Sequence, residues 1–222
     1  MRQQLTEQQQ QESYMWRDSG GGDFEQPPVG THPARCVRII DIGTQKGEYQ
    51  GKATFKRQVV IAWELSNELM TEGDYAGKPF MVSRFYTASL GEKANLRKDL
   101  VSWRGKEFSD QELQGFDPRN ILDKGCMVSL IENDKGKIRV SSVMALPKGL
   151  KLADRVNDLL YFSLERGEFE SKVYEGLSDG YKKMIGVSPE YQELMNPSNA
   201  SMKRSPDIED LESDIPFSSA PF

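Results

Sequence analysis

The chain has one histidine, His32, and two cysteines, Cys36 and Cys126, in 222 residues. A lone histidine beside Pro33, with no serine or cysteine nucleophile motif, gives no basis for a Ser-His-Asp or Cys-His centre. It reads as a surface or capping residue at a strand entrance. The cysteines lie in separate apolar segments, and neither has a second cysteine or a histidine at metal-ligand spacing. They read as buried, reduced thiols of a cytoplasmic protein. No apolar run approaches the ~20 residues of a membrane span. Residues 1–12 are Gln-rich without an apolar stretch, so no secretory signal is expected.

Further enzyme chemistry is also missing. Asp41, Glu64 and Asp99 are the carboxylates a metal-dependent nuclease would use, but they are scattered along the chain. Residues 47–53 imitate a phosphate-binding loop. The spacing between its glycines is one residue short, Ala53 stands where Ser or Thr is required, and the stretch falls between strands rather than before a helix. Neither an enzyme nor a metal or cofactor is expected.

The charge is uneven. The net charge of -5 hides a basic middle, with 19 Lys or Arg against 15 Asp or Glu over residues 30–148. Both flanks are acidic: 2 basic against 5 acidic residues over 1–29, 6 against 9 over 149–196, and 2 against 5 over 197–222. A polyanion-binding core with a competing acidic tail has this distribution.

Residues 1–29 read as a flexible arm carrying one apolar patch, Tyr14-Met15-Trp16. β-branched residues predict a strand over 34–42, and three glycines predict a long loop over 43–54. Val59, Ile61, Trp63 and Leu65 alternate along a second strand, 57–65, and a third follows over 78–87. Ser89 and Glu92 have capping-box spacing, and Leu96, Leu100 and Trp103 form a helical stripe that stops at Gly105. A short helix and a turn at Asp117-Pro118 are expected over 106–123. Strands over 126–131 and 137–144 form a hairpin around Asn133 to Gly136.

Three strands, a helical segment and two strands follow the order of an OB-fold, a five-stranded barrel with its helix between strands three and four. Another small barrel or an α+β sheet has the same element order. The expected fold class is mainly β with helical additions, with the barrel core over 30–149. Phe169, Val173, Leu177 and Tyr181, together with a helix start at Ser188-Pro189-Glu190, predict a helical extension over 150–195 packed on it. Residues 196–222 are expected to be a disordered tail.

Cations beside aromatics mark the candidate surface, because single-strand binders combine phosphate contacts with base stacking. Lys46, Tyr49, Lys52, Phe55, Lys56 and Arg57 crowd the expected first loop. Arg84 and Tyr86 share one face of the third strand, with Phe85 opposite. Lys93, Arg97 and Arg104 line the helix, and Lys137 and Arg139 lie on the last strand. Trp63 and Phe80 belong to apolar faces and are expected in the core.

From Ser205 onward there is no Lys or Arg. Asp207, Glu209, Asp210, Glu212 and Asp214 lead into Ile215-Pro216-Phe217, and Pro221-Phe222 closes the chain. Such a segment offers an apolar hook in an acidic field to a basic pocket on a partner. Asp214-Ile215-Pro216-Phe217 resembles the tail tip of bacterial single-stranded DNA-binding proteins, although five residues follow it here. Residues 58–65, Tyr86-Thr87-Ala88-Ser89-Leu90, 96–105 and Leu146-Pro147-Lys148-Gly149 resemble phage-encoded single-stranded DNA-binding proteins. The resemblance implies a protein that coats single-stranded DNA during phage replication, recombination or repair in the host cytoplasm and recruits partner enzymes through its tail. It leaves open whether Phe217 or Phe222 is the hook, and whether copies associate. An OB-fold adaptor that binds protein and no DNA is the alternative.

Overall fold

The computed structural model describes residues 25–196. Residues Tyr14 to Trp16 and the whole acidic tail lie outside that range. The described chain is mainly β with helical additions, and its organising element is one long hairpin. Strands β1 (Gly30–Tyr49) and β2 (Lys52–Leu69) run antiparallel and meet at Gln50-Gly51. Both turn residues have positive φ, 51° and 74°. Two consecutive positive-φ residues suit a two-residue hairpin turn of the primed type, which matches the twist of the flanking strands.

The loop expected over 43–54 is therefore a two-stranded ribbon, paired from Gly43↔Gln58 to Tyr49↔Lys52. Its glycines serve the ribbon. Gly43 sits at a bulge with φ 69°, and a Cβ there would lie 2.5 Å from Ser188. Gly51 completes the turn.

Strand β3 (Pro79–Thr87) pairs antiparallel with β2, and β4 (Gly125–Glu132) and β5 (Ile138–Ala145) form the second hairpin. The other edge of β1 is shared. Its first residues, Gly30 to Arg35, pair with β4. Past a bulge at Cys36, Arg38 to Ile40 pair in parallel with β6 (Leu160–Phe162), which the sequence reading did not anticipate. The strand order is β3-β2-β1-β4-β5, with β6 attached to β1. The two ends of that path meet through a side chain: Arg84 of β3 donates to the Ser141 carbonyl of β5 at 2.7 Å.

Helix α1 (Asn95–Arg104) stops at Gly105 with φ 66°, as expected, but starts later than Ser89. The Ser89 hydroxyl accepts from Gly91 N–H and holds a turn, so the capping box does not form there. It forms instead at Ser109 and Glu112, opening α2 (Asp110–Gln114). In the extension, the every-four apolar pattern is split at Gly176 to Ser178 into α3 (Ser171–Glu175) and α4 (Asp179–Gly186). Helix α5 (Pro189–Met195) begins as expected, with Ser188 accepting from Tyr191 N–H.

Alternation along β2 separates two apolar cores. Ile61, Trp63 and Leu65 face the larger one, with Leu100 and Trp103 of α1 and with Cys126, Val128 and Val143. Trp63 and Phe80 are buried there as expected, and Trp63 meets Trp103 at 6.2 Å between ring centroids. Cys36 and Cys126 are buried, which pushes both thiol pKa values up. Val60, on the opposite face, joins Ile40, Ile42, Phe162, Leu164, Leu177 and Ile185 in a second core beneath the extension. Glu64 faces the same way. It is buried, and its carboxylate accepts from the Val156 and Asn157 N–H groups and from the Asn157 side chain, which pins that segment across β2. Among the described residues no helix is long and apolar enough to cross a membrane.

Candidate nucleic-acid interface

The ribbon deals its cations to two faces. Residues directly opposite in a hairpin share a face, and the face alternates along each strand. Lys56 belongs to the face that also carries Gln58 and Val60, and Lys52 follows the same alternation. Lys46, Phe55 and Arg57 belong to the other face, since Lys46 pairs with Phe55 and Thr44 pairs with Arg57. Lys46, Lys52, Lys56 and Phe55 are exposed. Tyr49 ends β1 opposite Lys52.

Several expected DNA-contacting cations are only partly exposed and bond groups of the protein itself. Arg57 donates to both Asp41 oxygens and to Glu165, which raises its pKa and leaves its charge matched. Arg84 donates to Asp99 at 2.9 Å as well as to Ser141, and its guanidinium lies 5.1 Å from the Tyr86 ring centroid. Tyr86 is buried in the main core. Its hydroxyl donates to Asp99 at 2.7 Å, and burial with the Asp99 charge drives its pKa far up. It offers no open ring face to a base. Arg104 pairs with Glu112 and lies over Phe108 at 4.2 Å, fixing the end of α1 to α2. Arg97 donates to the Leu90 carbonyl and pairs with Glu107. Lys93 is exposed before the helix. These arginines hold elements together because a guanidinium can bridge a carboxylate and a carbonyl at once.

His32 is buried rather than superficial, with Nδ1 3.0 Å from Glu68 and Nε2 2.9 Å from the Pro28 carbonyl. Among the described residues no group of three or more His, Cys, Asp or Glu is arranged to hold a metal.

A different aromatic comes to the surface. Phe85 pairs with Val60 across β2–β3, so it lies on the same face as Lys56. The extension covers Val60 but leaves Phe85 48% exposed. It lines a groove of about 500 Å³ between β3 and β5, with Ser83, Ile131, Arg139 and Ser141. Ile131 pairs with Arg139 and is also exposed. Lys137 stands exposed just before β5, beside the β4–β5 turn. The structure thus brings Arg139, and Lys137 close by in sequence, to an aromatic groove, with Lys56 on the face that leads to it. The sequence had placed Phe85 opposite Arg84 and Tyr86. The signal for its exposure was strand alternation: Arg84 and Tyr86, on the other face of β3, both turn inward to Asp99.

The expected partner-binding residues, Asp207, Glu209, Asp210, Glu212, Asp214, Ile215, Pro216, Phe217 and Phe222, lie outside the described residues. A scan against protein-family models finds no match to this chain, and a search of curated proteins finds none either.

Proposed function

We propose that this chain is an OB-fold single-stranded DNA-binding protein whose strand path crosses the outer face of β2–β3 and the β3–β5 groove. The strand order, the helix between β3 and β4, and the side-chain bridge from β3 to β5 support the barrel reading. In OB-folds the face of strands two and three and the loops after strands one and four take oligonucleotides. The equivalents here are the face bearing Phe85, the β1–β2 ribbon with Lys52 and Lys56, and the β4–β5 turn with Lys137.

The observation that carries the reading is Phe85: a half-exposed ring in a groove beside Arg139, on a sheet whose neighbouring surface is covered. Bases stack on such a ring whatever their identity, while Lys and Arg follow the phosphates, so little sequence preference results. The acidic tail would recruit replication or recombination proteins, and its charge suits it to compete with DNA for the same cations.

Intrinsic fluorescence titrated with oligo-dT, and with duplex of equal length, across a salt series tests this. Binding to oligo-dT weakens as salt rises, is much weaker with duplex, and its salt slope counts the phosphates engaged. Phe85→Ala weakens it by the stacking of one base, about 1–3 kcal/mol, with the salt slope unchanged. Arg139→Ala lowers the slope instead. No binding at low salt, confirmed by gel shift, overturns the reading and assigns the groove to a protein partner.

A further inference from the structure

The opposite face of the ribbon has a different character. At its base a cavity of about 350 Å³ enters the larger core among Ile39, Val59, Ile61, Leu96, Leu100 and Phe116. This is the size of a site that takes one ring-sized apolar group. Two carboxylates hold one guanidinium at its mouth, and a third lies just beyond. Arg57 donates to Asp41 and Glu165, and Glu190 is bonded to Thr44, the cross-strand partner of Arg57. The mouth therefore carries excess negative charge, and an acidic segment such as residues 207–214 is a poor occupant.

Two residues further out on the same face stands Phe55, 67% exposed, with Lys46 directly across from it. An aromatic ring beside a cation thus adjoins an apolar cavity with an acidic rim. One molecule cannot bring the two together, because successive same-face residues of a strand lie ~7 Å apart and the strand does not fold back on itself. A two-fold axis lying in the plane of the contact brings them together twice. Such an interface uses the same patch on both copies, which is what a self-complementary ring and cavity require.

We propose that the chain associates as a two-fold dimer through this face of the ribbon, with Phe55 of each copy seated in the cavity of the other and Lys46 facing the other's Glu165. The contact is on the opposite face from Lys52, Lys56 and Phe85, and it stands whether or not the groove binds DNA.

Sedimentation equilibrium of the full chain over a concentration series tests it, with Phe55→Asp and Ala88→Phe as variants. Both positions are exposed, and Ala88 lines the cavity mouth, so neither change disturbs the core. The wild type reaches twice the 25.2 kDa chain mass, and both variants remain at the single-chain mass. A wild type that is monomeric at every concentration overturns the proposal, as does a dimer unaffected by Phe55→Asp. Loss of the dimer in Phe55→Asp but not in Ala88→Phe removes the cavity as the socket. Weaker oligo-dT binding by Phe55→Asp at unchanged mass makes Phe55 a base-stacking residue and overturns the proposal equally.

Discussion

At the scale of single residues, the most informative contact joins the base of the ribbon to the end of the described chain. Thr44 gives Glu190 two hydrogen bonds, 2.8 Å from its N–H and 2.6 Å from its hydroxyl. Burial alone would raise the Glu190 pKa. The Thr44 bonds, with Arg57 nearby, outweigh burial and hold the carboxyl below its ordinary value. A carboxyl with a depressed folded-state pKa stabilises the fold above its unfolded pKa, and that stability is lost as pH falls through the folded value. Thr44→Val keeps the strand but removes the hydroxyl donor. Its expected cost is on the order of 1 kcal/mol at neutral pH. Thermal melts at neutral pH and below the carboxylate range check this: the gap between wild type and variant narrows in acid. A gap independent of pH would assign the loss to strand geometry rather than to the Glu190 charge.

At the scale of elements, the sequence was legible wherever a pattern answered to local physics. The alternation of Val59, Ile61, Trp63 and Leu65 is the inner face of β2, and Gly105 ends α1. The ribbon was misread because Gly43, Gly47 and Gly51 carry the composition of a loop, while the work of Gly43 at a bulge and of Gly51 at a turn is visible only once β1 and β2 pair. Strand β6 was not legible, since three residues carry no periodicity and pair only where β4 has left the edge of β1 after Arg35. The cations were found as a set but not sorted. Carboxylates far away in sequence, such as Glu165 for Arg57, decide which guanidinium faces solvent. Short as it is, β6 anchors the second core through Phe162, 5.8 Å from Phe169 and 6.1 Å from Tyr174 between centroids. Phe162→Ala leaves a cavity between sheet and extension, with an expected loss of about 3–5 kcal/mol. Urea unfolding measures it, and a loss below about 0.5 kcal/mol, the range of an ordinary surface change, would mean that the extension is only loosely attached.

At the scale of the whole molecule, the two cores make the extension part of the fold rather than an appendage. A chain ending near residue 149 would uncover Ile40, Ile42 and Val60 together, each a side chain whose burial is worth about 1.5–3 kcal/mol. It would also strip Glu64 of the Val156 and Asn157 donors and Arg57 of Glu165. Those losses together rival the 5–15 kcal/mol that holds a typical domain folded. The expectation is that residues 30–149 alone aggregate or lack a cooperative melt, whereas residues 25–196 unfold in one transition at the temperature of the full chain. Scanning calorimetry of the two fragments decides it. A soluble 30–149 fragment with an unchanged melting temperature would show the sheet of residues 30–149 to be self-sufficient. In that case the outer faces of Ile40 and Val60 would be a surface the extension merely occupies. A single transition shared by sheet and extension would instead make the extension an integral cover of that face, which stops short of the Phe85 groove.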